Sequence, residues 1–262
     1  MKKDILGESN LELAFIHLAM AENKRWVGNF MEAYQDLETA SEVLMHNLPS
    51  DSLFVAQLLH LKANILRDSK QWDTAMPLYE QALSIASTIT GDKSIIYAQI
   101  LGDQGEGFRV GKAYQDANDT LTKAIEMVQA TLGKKHVLNA DFMRSFAMYN
   151  IDMVTQHNLD IALAVLDQHV LPIYESSLGH KHPSTTFCRG LVGLCEKLGA
   201  TPENTARSQE TLNTERLLPQ DLIDDALDAF DTYKFHENHP WVQYLGGFVS
   251  DHHSLTNASL GM

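Results

Sequence analysis

Twelve histidines and thirty-four carboxylate side chains give this 262-residue chain ample material for metal binding or acid–base chemistry. His180/His182, His236/His239 and His252/His253 stand in close pairs. A tetrahedral zinc site needs four ligands of fixed geometry, commonly thiolates spaced two to four residues apart. The two cysteines, Cys188 and Cys195, are seven residues apart and far in sequence from the later histidine pairs. On one helix their Cα atoms would lie ~10 Å apart, beyond disulfide reach. The expectation is two reduced, buried thiols in the cytoplasm or another reducing intracellular compartment, with no metal and no cofactor. Acid–base or nucleophilic catalysis has no recognisable frame either. There is no glycine-rich phosphate loop, no nucleophile elbow and no His-Glu-x-x-His. The chain is expected not to be an enzyme.

The carboxylates have one conspicuous concentration. Asp221, Asp224, Asp225, Asp228 and Asp231 fall on one side of a helix, and residues 220–237 hold six acids against Lys234. A regular helix cannot wrap carboxylates around calcium as a 12-residue loop does, so the stripe reads as a solvated outer face. The net charge of −14 opposes nucleic-acid binding and permits a basic protein partner.

The elements that would position any site follow from a repeat. In "QWDTAMPLYEQALSI" (71–85), Ala75 and Ala82 have counterparts 42 residues earlier, Ala33 and Ala40, and 42 later, Ala117 and Ala124. Phe30, Trp72 and Tyr114 keep the same step, as do Ala14, Ala56, Ala98 and Ala140, and Ala21, Ala63, Gly105 and Ala147. A fourth copy continues at Ala162 and Leu166, offset by 45, which places an insertion of three residues near 155–158. A fixed period over this much chain is the mark of a repeat protein. Small residues followed by a large apolar one (Leu37, Tyr79, Leu121, Leu166) suit two helices packed ~8–10 Å apart. Trp72 and its counterparts are placed in the turn, Asp73 or Thr74 at the helix cap, and Pro77 in or near the first turn.

This spacing is identified as the A-x3-F-type core of the tetratricopeptide repeat, and the unit resembles the longer kinesin-light-chain type. "WDTAMPLYEQALSI" is similar to that type's second helix. "LGHKHPSTT" (178–186) is similar to its linker, with degenerate copies at "LGKKHVLNA" (132–140) and "TGDKSIIYA" (90–98). Gly91 and Gly133 suit left-handed helix ends. The resemblance covers roughly residues 11–200. The paired asparagines of that type's first helices are replaced here by His60 and Leu61, and by Gly102 and Asp103. A lysine–asparagine–arginine clamp for chaperone C-termini is missing, since Leu18, Glu22, Leu61, Gln99 and Asp103 stand at its positions.

The resemblance implies an all-α, right-handed superhelical solenoid of about five antiparallel helix hairpins, with a C-terminal capping helix. Hairpins are predicted at about 11–47, 53–90, 95–132 and 137–178. A fifth first helix follows in "STTFCRGLVGLCEKLG", with a less regular partner in 202–218. Residues 1–218 form the solenoid; 219–235 are predicted as a solitary helix and 236–262 as an aromatic tail, all in one domain. "LELAFIHLAMA" is too short and too interrupted to span a bilayer, and the N-terminus has no signal-peptide core.

In such repeats the first helices line a concave groove. The residues expected there are Gln57, His60, Asn64 and Arg67; Gln99, Asp103, Glu106 and Arg109; and Asp141, Arg144 and Met148, read as exposed polar positions with one methionine. Trp241, Tyr244 and Phe248 are the candidate tail contacts. The function implied is a scaffold or adaptor that receives a peptide or helix of another protein. The alternative is a structural subunit of a larger assembly, attached by its tail.

Overall fold

A computed structural model of the protein describes residues 11–200 and 219–247, and among these every regular element is helical. The chain divides into two compact units, Met1–Thr131 and Leu132–Met262.

In the first unit α1 (Leu11–Trp26) pairs with α2 (Phe30–Asn47), α3 (Leu53–Asp68) with α4 (Trp72–Thr90), and α5 (Ile95–Val110) with α6 (Tyr114–Leu132). The alanines at the repeat positions are fully buried: Ala33, Ala40, Ala75, Ala82, Ala117 and Ala124 are all 0% exposed. The closeness they permit is clearest at Gly105, where a Cβ would stand 2.8 Å from Leu121 Cγ.

Each hairpin turn is made by one residue with positive φ, and these residues keep the 42-residue step: Gly28 (84°), Lys70 (66°), Lys112 (63°) and, in the second unit, Val154 (50°). The amide after the turn residue reaches back to the helix at Asn29→Lys24, Gln71→Leu66 and Ala113→Phe108, the bond that closes a Schellman end. Between hairpins, Gly91, Gly133 and Gly179 also have positive φ, as expected for the first two. Gly91 combines φ 81° with ψ 155°, outside the left-handed helical basin and in a region open essentially to glycine alone.

Trp72 departs from the turn position expected of it, and Pro77 falls just beyond the first turn of its helix. Trp72 opens α4, its N-cap is Gln71 with no side-chain cap bond, and Pro77 lies inside the helix. The turn ends at Gln71 because Lys70 already reverses the chain. Pro77 leaves the Asp73 carbonyl without its helical donor, which is tolerable on an exposed face where water can replace it. The Trp72 ring covers the next repeat, where a Cβ on Gly111 would approach it to 2.6 Å.

The second unit holds α7 (Val137–Asp152), α8 (Gln156–Val165), a π turn (Leu166–Val170), α9 (Leu171–Ser177), α10 (Pro183–Lys197) and α11 (Pro219–Thr232). Backbone 240–247 forms a further helix, α12. The displaced fourth repeat has two causes. α8 begins at Gln156, 42 residues after α6 does at Tyr114, so the three extra residues lie at its N-terminal end. The π turn then takes up one more. Leu121 and Ala124 are three apart, but their fully buried equivalents Leu166 and Val170 are four apart, and beyond that point the offset is 46 (Val128 to Tyr174).

α10 is the centre of this unit, with Phe187, Cys188, Leu191, Val192, Leu194 and Cys195 no more than 1% exposed. The helix expected to stand alone packs along it. A Cβ on Gly193 would lie 2.5 Å from the Pro219 carbonyl, and one on Gly190 would lie 2.9 Å from both Ala226 Cβ and Leu245 Cδ1. α11 thus meets α10 through small residues, as second helices do elsewhere in the chain. The expected partner 202–218 lies outside the described residues. α12 closes the same core, with Trp241 stacked on Phe187 at 4.6 Å between centroids and 6° between planes.

Candidate functional site

Several of the first-helix residues of the first unit are bonded to one another. Arg25 of α1 donates to Asp68 of α3 at 2.6 Å, and Arg67 binds the other Asp68 oxygen at 2.8 Å. Arg67 also reaches Asp103 of α5, at its carboxylate (3.3 Å) and its backbone carbonyl (3.2 Å). His60 Nε2 lies 2.7 Å from Asp103 Oδ2, and Asn64 donates to the same oxygen at 3.2 Å. From α4 the buried Tyr79 hydroxyl donates to Asn64 Oδ1 at 2.6 Å and accepts from Arg67 at 3.2 Å. Glu22 pairs with Arg25 and Glu106 with Arg109 one turn apart.

This ladder corrects the reading of these positions as exposed. Asn64, Arg67 and Arg109 are 5%, 7% and 7% exposed, and Met148 is 3%. At Asn64, Arg67 and Arg109 the neighbouring helices pack too closely for the side chains to reach solvent, so the polar groups there must be satisfied within the protein. His60, Asp103 and Glu106 are half-buried, and Gln57 and Gln99 are exposed. Burial pushes the Asp103 carboxyl up. The bond from His60 and the charges of His60, Arg67 and Arg25 together outweigh it and hold the group well below the ordinary carboxylate range. Burial likewise pushes the Tyr79 phenol up, keeping it a neutral donor.

In the second unit, Asp141 accepts from the Tyr174 hydroxyl at 2.6 Å, and the half-buried Arg144 guanidinium lies 4.6 Å from the Trp241 ring centroid. Trp241 is 9% exposed, Tyr244 is half-buried and donates to Asp152 at 2.8 Å, and Phe248 lies outside the described residues.

Sequence reasoning missed Arg25, Asp68 and Tyr79 as members of the ladder. Arg25, Arg67 and Arg109 follow the 42-residue step, a signal available from the start. It also missed an aromatic pair on the same two first helices. Phe15 of α1 and Phe54 of α3 are 37% and 44% exposed, with ring centroids 5.0 Å apart.

The histidines have a structural use. His136, His182 and His239 each accept a backbone N–H through Nδ1, from Leu138, Ser184 and Trp241, at the start of α7, α10 and α12. Ser52 and Ser94 cap α3 and α5 in the corresponding way. Among the described residues no group of three or more His, Cys, Asp or Glu side chains is placed to hold a metal. Burial pushes the Cys195 thiol up to about 12, and Cys188 is raised for the same reason. No described helix is long and apolar enough to cross a membrane.

The tetratricopeptide-repeat family profile matches residues 12–88 and 54–130. Among solved structures, the chain is similar to one described as kinesin light chain TPR-like repeats from Podosopora anserina. That match has 15% identity and TM-score 0.53, over 87% of this chain and 99% of the other. BtubC (BKLC) from P. vanneervenii is similar at 16% identity and TM-score 0.56, over 84% of this chain and 80% of the other. These likenesses are of fold. The curated proteins contain no sequence match.

Proposed function

We propose, for a chain whose residues 12–130 are tetratricopeptide repeats, that it is a protein-binding scaffold whose first-helix face in the first unit receives a peptide or helix of a partner. Such repeats are general protein–protein interaction modules. The observation that carries the finer reading is the division of labour on this face. Its charged groups are tied to one another in the ladder from Arg25 to Asp103, whereas Phe15 and Phe54 expose paired rings, and Gln57 and Gln99, which share the repeat position of Phe15, are exposed. A rigid polar floor costs little reorganisation on binding, and exposed aromatics supply the anchor. The partner is therefore expected to bring apolar anchors and backbone hydrogen-bonding groups rather than a carboxylate for an arginine. Attachment to an assembly through the tail is less favoured, because Trp241 and Leu245 are buried within their own unit.

The test is affinity capture from extract with the intact chain, compared with a Phe15→Ala/Phe54→Ala variant and a Gln57→Ala/Gln99→Ala variant. Loss of the same captured protein in the aromatic variant, with unchanged helicity, supports the reading. Capture that survives both variants overturns it.

A further inference from the structure

A cleft of about 400 Å³ opens in the second unit between α10, α11 and the loop that precedes α10. It belongs to no part of the ladder or the aromatic pair. Its floor is mainly apolar, from Leu222, Ala229 and the ring of Tyr233. The wall is held in place, because the Tyr233 hydroxyl donates to the Lys181 carbonyl at 3.1 Å. Asp225 and Asp228 stand one helical turn apart on the α11 rim, both exposed, and neither makes an ion pair with a described residue.

The cations of the opposite wall do not neutralise them. Arg189 is committed to Glu175, to the His180 carbonyl and to His180 Nδ1. Lys181 is exposed on the far rim. α11 as a whole carries five aspartates and no lysine or arginine.

We propose that this cleft seats an arginine side chain from a segment of a partner protein. Charge complementarity selects the cation, since the two uncompensated carboxylates form one edge of a largely apolar hollow. The geometry favours arginine over lysine. Carboxylates one turn apart present Cβ atoms ~5–6 Å from each other. A planar fork with five donors can give each of them its own N–H groups, whereas a single ammonium, as at Lys24 between Glu32 and Asp36, must divide three donors between the two. The aliphatic stem would lie over Leu222 and Ala229, with the Tyr233 ring available as a stacking face. Lys181, on the far rim, would meet a carbonyl of the same segment.

The probe is a blocked pentapeptide, Ala-Ala-Arg-Ala-Ala, titrated into the isotopically labelled full chain and followed by amide chemical shifts at 0.15 M salt. The expected result is a saturable shift centred on Thr186, Asp225, Ala229 and Thr232. Asp225→Asn/Asp228→Asn should weaken it roughly fivefold or more, and Asp221→Asn/Asp224→Asn, which removes the same charge from the same helix outside the cleft, should leave it. The proposal is overturned if no shift occurs, if the corresponding peptide Ala-Ala-Lys-Ala-Ala binds equally, or if both double variants weaken binding alike, which would mean diffuse attraction to an acidic helix. Concentration-dependent shifts at the same amides without peptide would assign the cleft to a second copy of this chain and overturn the foreign partner.

Discussion

The Tyr79 hydroxyl donates to Asn64 at 2.6 Å and accepts from Arg67 at 3.2 Å, so one phenol in a second helix secures two polar residues of a first helix. Tyr79 is fully buried and Asn64 and Arg67 nearly so. Tyr79→Phe would leave both without that partner, far from water. The expected loss is ~1–3 kcal/mol, read by chemical denaturation, with the fold retained because the ring still fills its site. A variant as stable as the parent would remove the ladder from the list of forces that hold the first unit together.

Val154 takes the turn position at which Gly28, Lys70 and Lys112 stand in the preceding repeats, with φ 50°. A β-branched residue is poorly suited to this basin, in which the L-configuration costs ~1–2 kcal/mol. Val154→Gly should therefore stabilise the protein by ~1 kcal/mol, part of the gain being offset by glycine's larger unfolded-state entropy. Its side chain is 61% exposed, so little packing is lost. A lowered melting temperature would contradict the strain argument.

Much of the architecture was legible because alanine spacing directly encodes how closely helices approach. The predicted spans 11–47, 53–90 and 95–132 coincide with α1–α2, α3–α4 and α5–α6. Three things were not legible. Val170 occupies a position filled by alanine in the earlier repeats, so the single residue absorbed by the π turn had no marker. Asn64 and Arg67 look like groove residues in any helical projection, and only the proximity of Asp103 and Tyr79 reveals that they are enclosed. The packing of α11 on α10 rests on Gly190 and Gly193. Gly193 takes the small-residue position of its helix, but no spacing in the sequence names the helix that approaches it.

Gly193→Ala tests that last contact. Alanine ordinarily favours a helix over glycine by ~1 kcal/mol. Here the added methyl would stand 2.5 Å from the Pro219 carbonyl and 3.0 Å from Leu222 Cβ, so backbone must move. The expected net effect is a loss of ~1–3 kcal/mol, seen as a lower denaturation midpoint. A neutral result would mean that α11 can slide along α10 without penalty.

Trp241 is stacked on Phe187 and lies 6.2 Å from Phe230, joining α12 to both α10 and α11. Trp241→Ala should destabilise the isolated chain by ~3–5 kcal/mol and raise binding of a hydrophobic dye. If thermal melts were unchanged and only a complex weakened, the residue would belong to an interface and the intramolecular reading of the tail would fail.

His182 links the fold to pH. Its Nδ1 must be unprotonated to accept the Ser184 N–H, 3.2 Å away. Burial pulls the imidazole below its ordinary value of 6.5, against the opposing charge of Asp141. A base whose folded pKa is depressed contributes its full stability above the unfolded value. That stability declines as pH falls below about 6.5, where the unfolded chain takes up the proton first. A charge formed at a helix N-terminus would also oppose the helix dipole. His182→Ser keeps a capping oxygen, as at Ser52 and Ser94, and removes the titration. The parent should lose more stability than this variant between pH 7.5 and 5.5, a difference kept small because the ring is partly exposed to solvent. Since the other histidines contribute equally to both proteins, parallel pH profiles would show that the His182 cap carries no proton linkage.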